Sequence, residues 1–245
     1  MEIITTLNLK GGVAKTTTAL NIAQALRQLG YKTLLIDLDY QKSLTILLEA
    51  NHKITALELL SSKEPGAIIK EAIKDDIITS HEDLLTLDSL DPLTLKKILD
   101  SKEIKNIYDY VIIDNHCIFN ALTLNSLMAS NKLLIPTTAN KLGYIGVEDM
   151  TSLLSLIKKV YKKNIEAYLL FTDFNPKTDL NSQYKDILTE LIKDTNIKLL
   201  DTYIRHSQPI EDSQALGVNL FEYSKRSNGA KDYLEATKEL IKIKG

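Results

Sequence analysis

Cysteine is nearly absent from this chain, with Cys117 the only one in 245 residues. One thiol excludes an internal disulfide framework and any metal site built from clustered thiolates within a single chain. Tryptophan is missing altogether, and proline and glycine are sparse, at 5 and 9. With so few breakers no low-complexity linker interrupts the pattern, and the sequence reads as one domain over 1–245. No apolar run approaches the roughly 18 to 20 uncharged residues of a membrane-spanning helix, and the N-terminus carries no cleavable signal pattern. A cytoplasmic protein with no stable membrane association is expected. An excess of charge is lacking too: 30 Lys and Arg against 32 Asp and Glu leave a formal net charge of -2. Bulk electrostatics therefore do not draw the chain to DNA or anionic lipid, and any such binding has to come from a local basic patch.

What is present is the balance of a globular protein, 44% hydrophobic and 25% charged. Strand-like apolar runs alternate with helical periodicity throughout, which predicts an α/β fold with a doubly wound, mostly parallel sheet flanked by helices. Strands are expected at 3–7, 33–39, 84–87, 110–114, 132–136, 167–171 and 199–203. Helices are expected after the first loop and around 55–74, 92–102, 120–129, 146–162, 181–194 and 229–242. The runs Thr33–Asp39 and Tyr110–Asp114 are apolar on consecutive positions and end in carboxylates, as strands buried on both faces and opening onto a ligand edge should. The stretch from 49 to 106 is the least legible.

Between the first strand and first helix lies Lys10-Gly11-Gly12-Val13-Ala14-Lys15-Thr16-Thr17. The general phosphate-loop pattern G-x-x-x-x-G-K-[ST] fails, because Leu9 and Ala14 stand where it requires glycine. Its mechanism survives: a Gly-Gly loop feeding a helix N-terminus surrounds phosphates with backbone N–H groups and a positive dipole end. Lys15 would reach the β- and γ-phosphates and the Thr16 hydroxyl would sit on Mg²⁺. A plain Gly-Gly turn would not need the two lysines and the threonine pair.

The run KGGVAKTT resembles the deviant phosphate loop of the ParA/MinD ATPases, which carry a signature lysine at its start, here Lys10. The resemblance implies ATP and Mg²⁺ as cofactors and a homodimer closed by ATP, with Lys10 reaching the partner's nucleotide. Ala14 replaces the more usual glycine, a change the family tolerates on the expectation that this position adopts no glycine-only conformation. LLIDLDYQKSLT at 34–45 resembles the family's second motif and places the water-orienting carboxylate on Asp39. YDYVIID at 108–114 resembles the segment ending in the carboxylate that holds a Mg²⁺-bound water, here Asp114. Departures fall at Tyr40, in place of proline, and at Asn115, His116 and Cys117, in place of a proline pair.

The block from Thr202 to Leu240 resembles the partition branch of the family more than the septum-positioning branch. That implies nonspecific DNA binding by the ATP dimer, with Arg205, Lys225 and Arg226 as phosphate contacts, and a ParB-like centromere-binding adaptor that stimulates slow hydrolysis. Nucleoid association follows. Adenine contacts are expected near 172–175 and 203–205. No helix-turn-helix segment precedes the first strand, so operator recognition is not expected. The nitrogenase iron protein shares the fold but needs two cysteines per chain, which Cys117 alone excludes.

Simpler accounts compete at several points. Asp37 and Asp39 could end a strand and turn into solvent. His116 beside Cys117 lacks ligand spacing to His52, His81 or His206. Lys158, Lys159, Lys162 and Lys163 fit a solvated face or a helix-dipole complement better than a DNA contact. The last helix suits packing through Tyr233, Leu234, Leu240 and Ile241 better than membrane anchoring. Two rival functions remain: a membrane-cycling MinD-like positioning ATPase, and a nucleotide-sensing module with little hydrolysis.

Overall fold

The structure, a computed structural model, describes residues 1–49, 54–62, 68 and 76–242. Seven strands are defined: β1 Glu2–Thr6, β2 Thr33–Asp37, β3 Ile77–Ile78, β4 Tyr110–Asp114, β5 Lys132–Thr137, β6 Glu166–Phe171 and β7 Ile197–Leu199. They form one sheet in the order β3-β2-β4-β1-β5-β6-β7, and every neighbouring pair is parallel. Parallel neighbours need crossover connections, which is why helical segments separate the strands and cover both faces.

In chain order the helices are α1 Lys15–Gln28, α2 Ser43–Leu47, α3 Ala56–Ser61, α4 Thr94–Leu99, α5 Lys102–Lys105, α6 Ala121–Ala129 and α7 Lys141–Tyr161. Then come α8 Asp179–Ile192, α9 Gln208–Ala215, α10 Leu220–Tyr223 and α11 Asn228–Lys242. The two-residue period of the strands divides the core. Ile4, Leu35, Ile112 and Leu134 face α1 and α11, packing with Leu26, Tyr233 and Leu240. Ile3, Leu34, Ile36 and Val111 face the other way and pack with Leu59 and Leu95. On that same face but farther along the sheet, Leu133, Ile135 and Leu169 meet Met150, Leu154 and Leu188 of α7 and α8. The expected packing of the last helix holds, since Tyr233 and Leu240 are buried and Leu234 and Ile241 are partly so.

Several expectations need correction. The segment 84–87 is not a strand: Glu82–Thr86 is a 3-10 turn started by the His81 side chain, which accepts from the Asp83 N–H. Strand 199–203 is displaced to Ile197–Leu199, because pairing with β6 stops at Leu169↔Leu199. The helix at 92–102 is two short ones, α4 and α5, and the helix at 146–162 begins earlier, where Asn140 accepts from the Gly143 N–H. The helix at 55–74 is described only as α3, opened by a reciprocal Thr55–Glu58 capping box; most of its remainder lies outside the described residues. Not anticipated were α2, β3, α9 and α10, although Pro209 in the first turn of α9 was a start signal.

The order of strands decides where ligands can bind. β1 is followed by a crossover to β2 on one side, whereas β4 connects over β1 to β5 on the other. The crevice beside the C-terminal ends of β1 and β4 is thus the switch point at which open α/β sheets take ligands. In register, Thr6 pairs with Asp114 and Asp114 with Asp37, so the ends of β1, β4 and β2 lie side by side.

Candidate functional site

Residues 7–14 leave this edge and deliver the chain to the N-terminus of α1. Asn8, fully buried, holds both sides of the loop: its amide donates to the Pro136 carbonyl at 2.9 Å, and its Oδ1 accepts from the Lys10 N–H at 2.9 Å. Gly146 of α7 lets the loop approach closely, since a Cβ there would lie 2.6 Å from Asn8 Oδ1 and 2.9 Å from Lys10 Cβ. Sequence reasoning singled out neither residue, because both act through contacts distant in the chain.

Gly12 and Ala14 have positive φ, 75° and 60°. The expectation that position 14 needs no glycine-like conformation is therefore corrected: Ala14, the residue capping α1, sits at φ 60°, ψ 36° in the left-handed region. Its Cβ crowds the following carbonyl there, at a cost of roughly 1–2 kcal/mol, part of which glycine would return as greater unfolded-chain entropy. Ala14→Gly should therefore stabilise the nucleotide-free protein by about 0.5–1 kcal/mol, raising Tm by about 1–4 °C. Thermal unfolding checks this, and a lower Tm contradicts it.

Lys15 is the first residue of α1, and its ammonium donates to the Lys10 carbonyl at 3.0 Å. Burial lowers its pKa, opposed by electrostatic attraction to Cys117, Asp114 and Asp39, so these groups converge on one ammonium. Asp114 is fully buried and neither of its oxygens has a hydrogen-bond partner among the described residues. Burial first, and Asp37 beside it second, push its pKa well up, while the neighbouring Thr16 hydroxyl and Lys15 pull it down. Thr6 Oγ1 and Asn115 Oδ1, at the same strand ends, are likewise buried without partners. Such a concentration of unsatisfied polar atoms at one edge marks a place completed by something other than protein. Asp37 is fully buried, not turned to solvent as the simpler account had it, and burial raises its pKa to about 6.

Oxygen chemistry at this edge suits Mg²⁺. Thr16 offers a hydroxyl and Asp114 an unpartnered carboxylate, while among the described residues no group of three or more His, Cys, Asp or Glu is arranged to hold a metal by itself. A hard cation that keeps waters and shares phosphate oxygens fits such a sparse donor set. The His116–Cys117 pair forms no metal cluster among those residues; His116 instead lies against Tyr40, with ring centroids 4.5 Å apart. This contact ties the loop after β2 to the loop after β4 at two positions that depart from the family pattern.

Beside the loop, a cavity of about 270 Å³ is lined by Ala14, Thr17, Thr172, Asp173, Arg205 and Gln214, among others. It gathers Thr172, Asp173, Ile204 and Arg205 from the two segments expected to meet adenine; Phe174 and Tyr203 instead pack on each other, 4.8 Å apart. Gln214 was not anticipated, and its buried amide nitrogen has no partner among the described residues. Of the three basic residues expected to meet DNA, Lys225 and Arg226 are exposed. Arg205 is bound to Asp232 through Nε at 2.9 Å and Nη2 at 2.6 Å, so its charge is already answered at the mouth of the cavity.

The comparisons agree with this geometry. Residues 1–167 match the AAA domain family profile. The chromosome-partitioning ATPase Soj of Treponema pallidum is 30% identical over 248 residues, covering 96% of this chain and 95% of that protein. Among solved structures, the ATP complex of an aspartate-to-alanine variant of Cyanothece McdA superposes with a TM-score of 0.83 at 22% identity, covering 100% of this chain and 98% of that one. The septum site-determining protein MinD of Pyrococcus horikoshii, complexed with Mg-ADP, gives a TM-score of 0.73 at 19% identity, covering 99% and 96%. Both likenesses concern the fold. With the phosphate loop, the two strand-end carboxylates and the parallel sheet in their expected relation, this chain belongs to the ParA/MinD family of P-loop partition ATPases.

Proposed function

We infer that the protein is an ATP-dependent partition switch: Mg-ATP binding closes a homodimer, the dimer binds DNA without sequence preference, and a ParB-like adaptor stimulates slow hydrolysis and release. One observation carries the reading. The loop bears two lysines in different states: the Lys15 ammonium is tied within its own loop, whereas the Lys10 ammonium has no hydrogen bond or ion pair among the described residues. A backbone held by Asn8 and Gly146 thus presents a cation with nothing to neutralise among the described residues. The nucleotide of a second copy would supply that partner. Ile118 and Phe119 after β4, and Leu142 and Ile145 in the first turns of α7, are exposed apolar residues suited to burial in such a closure.

Within the site, Lys15, Thr16 and the N–H groups of residues 11–17 would bind the phosphates, and Asp114 would hold a water on Mg²⁺. The bound ion would neutralise charge on the transferred phosphoryl group, while Asp39 orients the attacking water. Lys225 and Arg226 are the proposed DNA contacts, and the protein would be nucleoid-associated in the cytoplasm. The homology to a partition ATPase favours this over membrane cycling, and among the described residues no helix is long and apolar enough to cross a membrane.

Lys10→Ala tests the reading. It should leave ATP affinity within about threefold, since a half-buried lysine outside the cradle contributes little at home. It should also abolish the doubling of mass that the proposed dimer predicts on adding ATP, as read by light scattering. A dimer that persists refutes the cross-subunit role. In parallel, Arg226→Ala should weaken ATP-dependent retardation of random-sequence DNA and reduce the salt dependence by about one counterion, and unchanged retardation removes Arg226 from the DNA face.

A further inference from the structure

Three side chains that the reading above leaves unused close a hydrogen-bonded ring on the backbone of Asp39. Asp37 Oδ1 accepts from the Asp39 N–H at 3.0 Å. Asp37 Oδ2 accepts from both the N–H and the hydroxyl of Thr45, at 2.9 and 2.7 Å. That hydroxyl accepts in turn from the Ser80 N–H at 2.9 Å, and Ser80 Oγ donates to the Asp39 carbonyl at 2.6 Å. The members come from the end of β2, from α2 and from the segment after β3.

Asp39 needs such support because it lies beyond the sheet. The ladder between β2 and β4 ends at Asp37↔Asp114, with one further bond from the Leu38 N–H to the Asp114 carbonyl. The ring supplies the Asp39 N–H with its acceptor and engages its carbonyl, which also accepts from the Lys42 N–H. Its side chain is engaged only through Oδ1, by the Gln41 N–H at 2.9 Å, among the described residues. A carboxylate on a clamped backbone has one oxygen anchored and the other available to a water.

The geometry points to Asp37, Thr45 and Ser80 as positioning residues for hydrolysis, with Ser80 fastening the loop after β2 to the segment after β3. This assignment rests on Asp39 being the residue that orients water. Displacements of about 1 Å at a catalytic group can cost up to about 100-fold, so removing one bond of the ring should cost about tenfold.

The test compares Ser80→Ala, Thr45→Val, Thr45→Ser and Asp39→Ala with the wild type. ATP affinity is measured by calorimetry and turnover at saturating Mg-ATP with random-sequence duplex DNA. Ser80→Ala and Thr45→Val should each lower kcat about tenfold with ATP Kd and KM within twofold, and the double variant should be scarcely slower, because both break one ring. Thr45→Ser, which keeps the hydroxyl, should restore turnover to within about twofold. Amide hydrogen exchange at residues 39–42 should accelerate in Ser80→Ala, a readout independent of hydrolysis. Should Ser80→Ala not fold, Thr45→Val with its serine rescue carries the same comparison. A wild-type kcat in the alanine and valine variants, while Asp39→Ala loses turnover, overturns the ring and leaves the role of Asp39 standing. Wild-type turnover in Asp39→Ala overturns the role of Asp39 and the ring with it.

Discussion

Lys15→Ala should raise the ATP dissociation constant at least about 100-fold, equivalent to about 2.7 kcal/mol, as read by calorimetry in the presence of Mg²⁺. The size follows from what surrounds the ammonium. Lys15 is the cation on which Asp114, Asp39 and Cys117 act, in a site where burial already disfavours charge. Without it, a polyanionic triphosphate would enter beside Asp37, Asp39 and Asp114 with no compensating cation from its own subunit, and like charges at close range are costly in a poorly solvated site. The fold should survive, because the ammonium's one hydrogen bond among the described residues is to a carbonyl of the loop itself. An affinity within threefold of the wild type contradicts the placement of the triphosphate on this loop.

Asp39→Ala should have the opposite signature, intact ATP binding and a fall in turnover of at least about 100-fold. Asp39 is buried just beyond the end of β2, and its backbone is held in the ring while its Oδ2 has no partner among the described residues. On the proposed reading, losing the carboxylate removes a group that orients water, not one that pairs with phosphate, so an ATP-bound form should accumulate. Phosphate release under adaptor and DNA stimulation measures it. If the wild type shows no more release than Asp39→Ala, the protein is a nucleotide-sensing module, with the Tyr40–His116 contact as the feature to revert first.

Much of the site was legible because its determinants are local. Two glycines, two lysines and a threonine pair fall between positions 10 and 17, and the strand-loop-helix order around them follows from hydrophobic periodicity within a few residues on either side. The strands β2 and β4 were equally plain, since a strand covered on both faces is apolar at successive positions and its terminal carboxylate stands out. Short apolar segments were not. Leu84 to Leu87 has the composition of a strand, but only Leu84 is deeply buried, and a local cap turned the chain into a 3-10 turn. At 199–203 the start of the strand was set by its neighbour β6, information that no window of sequence contains.

By itself, then, the sequence determined the phosphate loop, the alternation that makes a parallel sheet, and the two carboxylates that end β2 and β4. Tertiary structure alone decided what those residues touch. It put Ala14 in a left-handed conformation, buried Asp37 beside Asp114, engaged Arg205 with Asp232 and brought Ser80 onto the carbonyl of Asp39. The physical reason is one of range. Backbone propensity and hydrophobic period act over a turn or a strand, whereas burial, charge pairing and ring closure depend on contacts between segments tens of residues apart, fixed only when the sheet assembles.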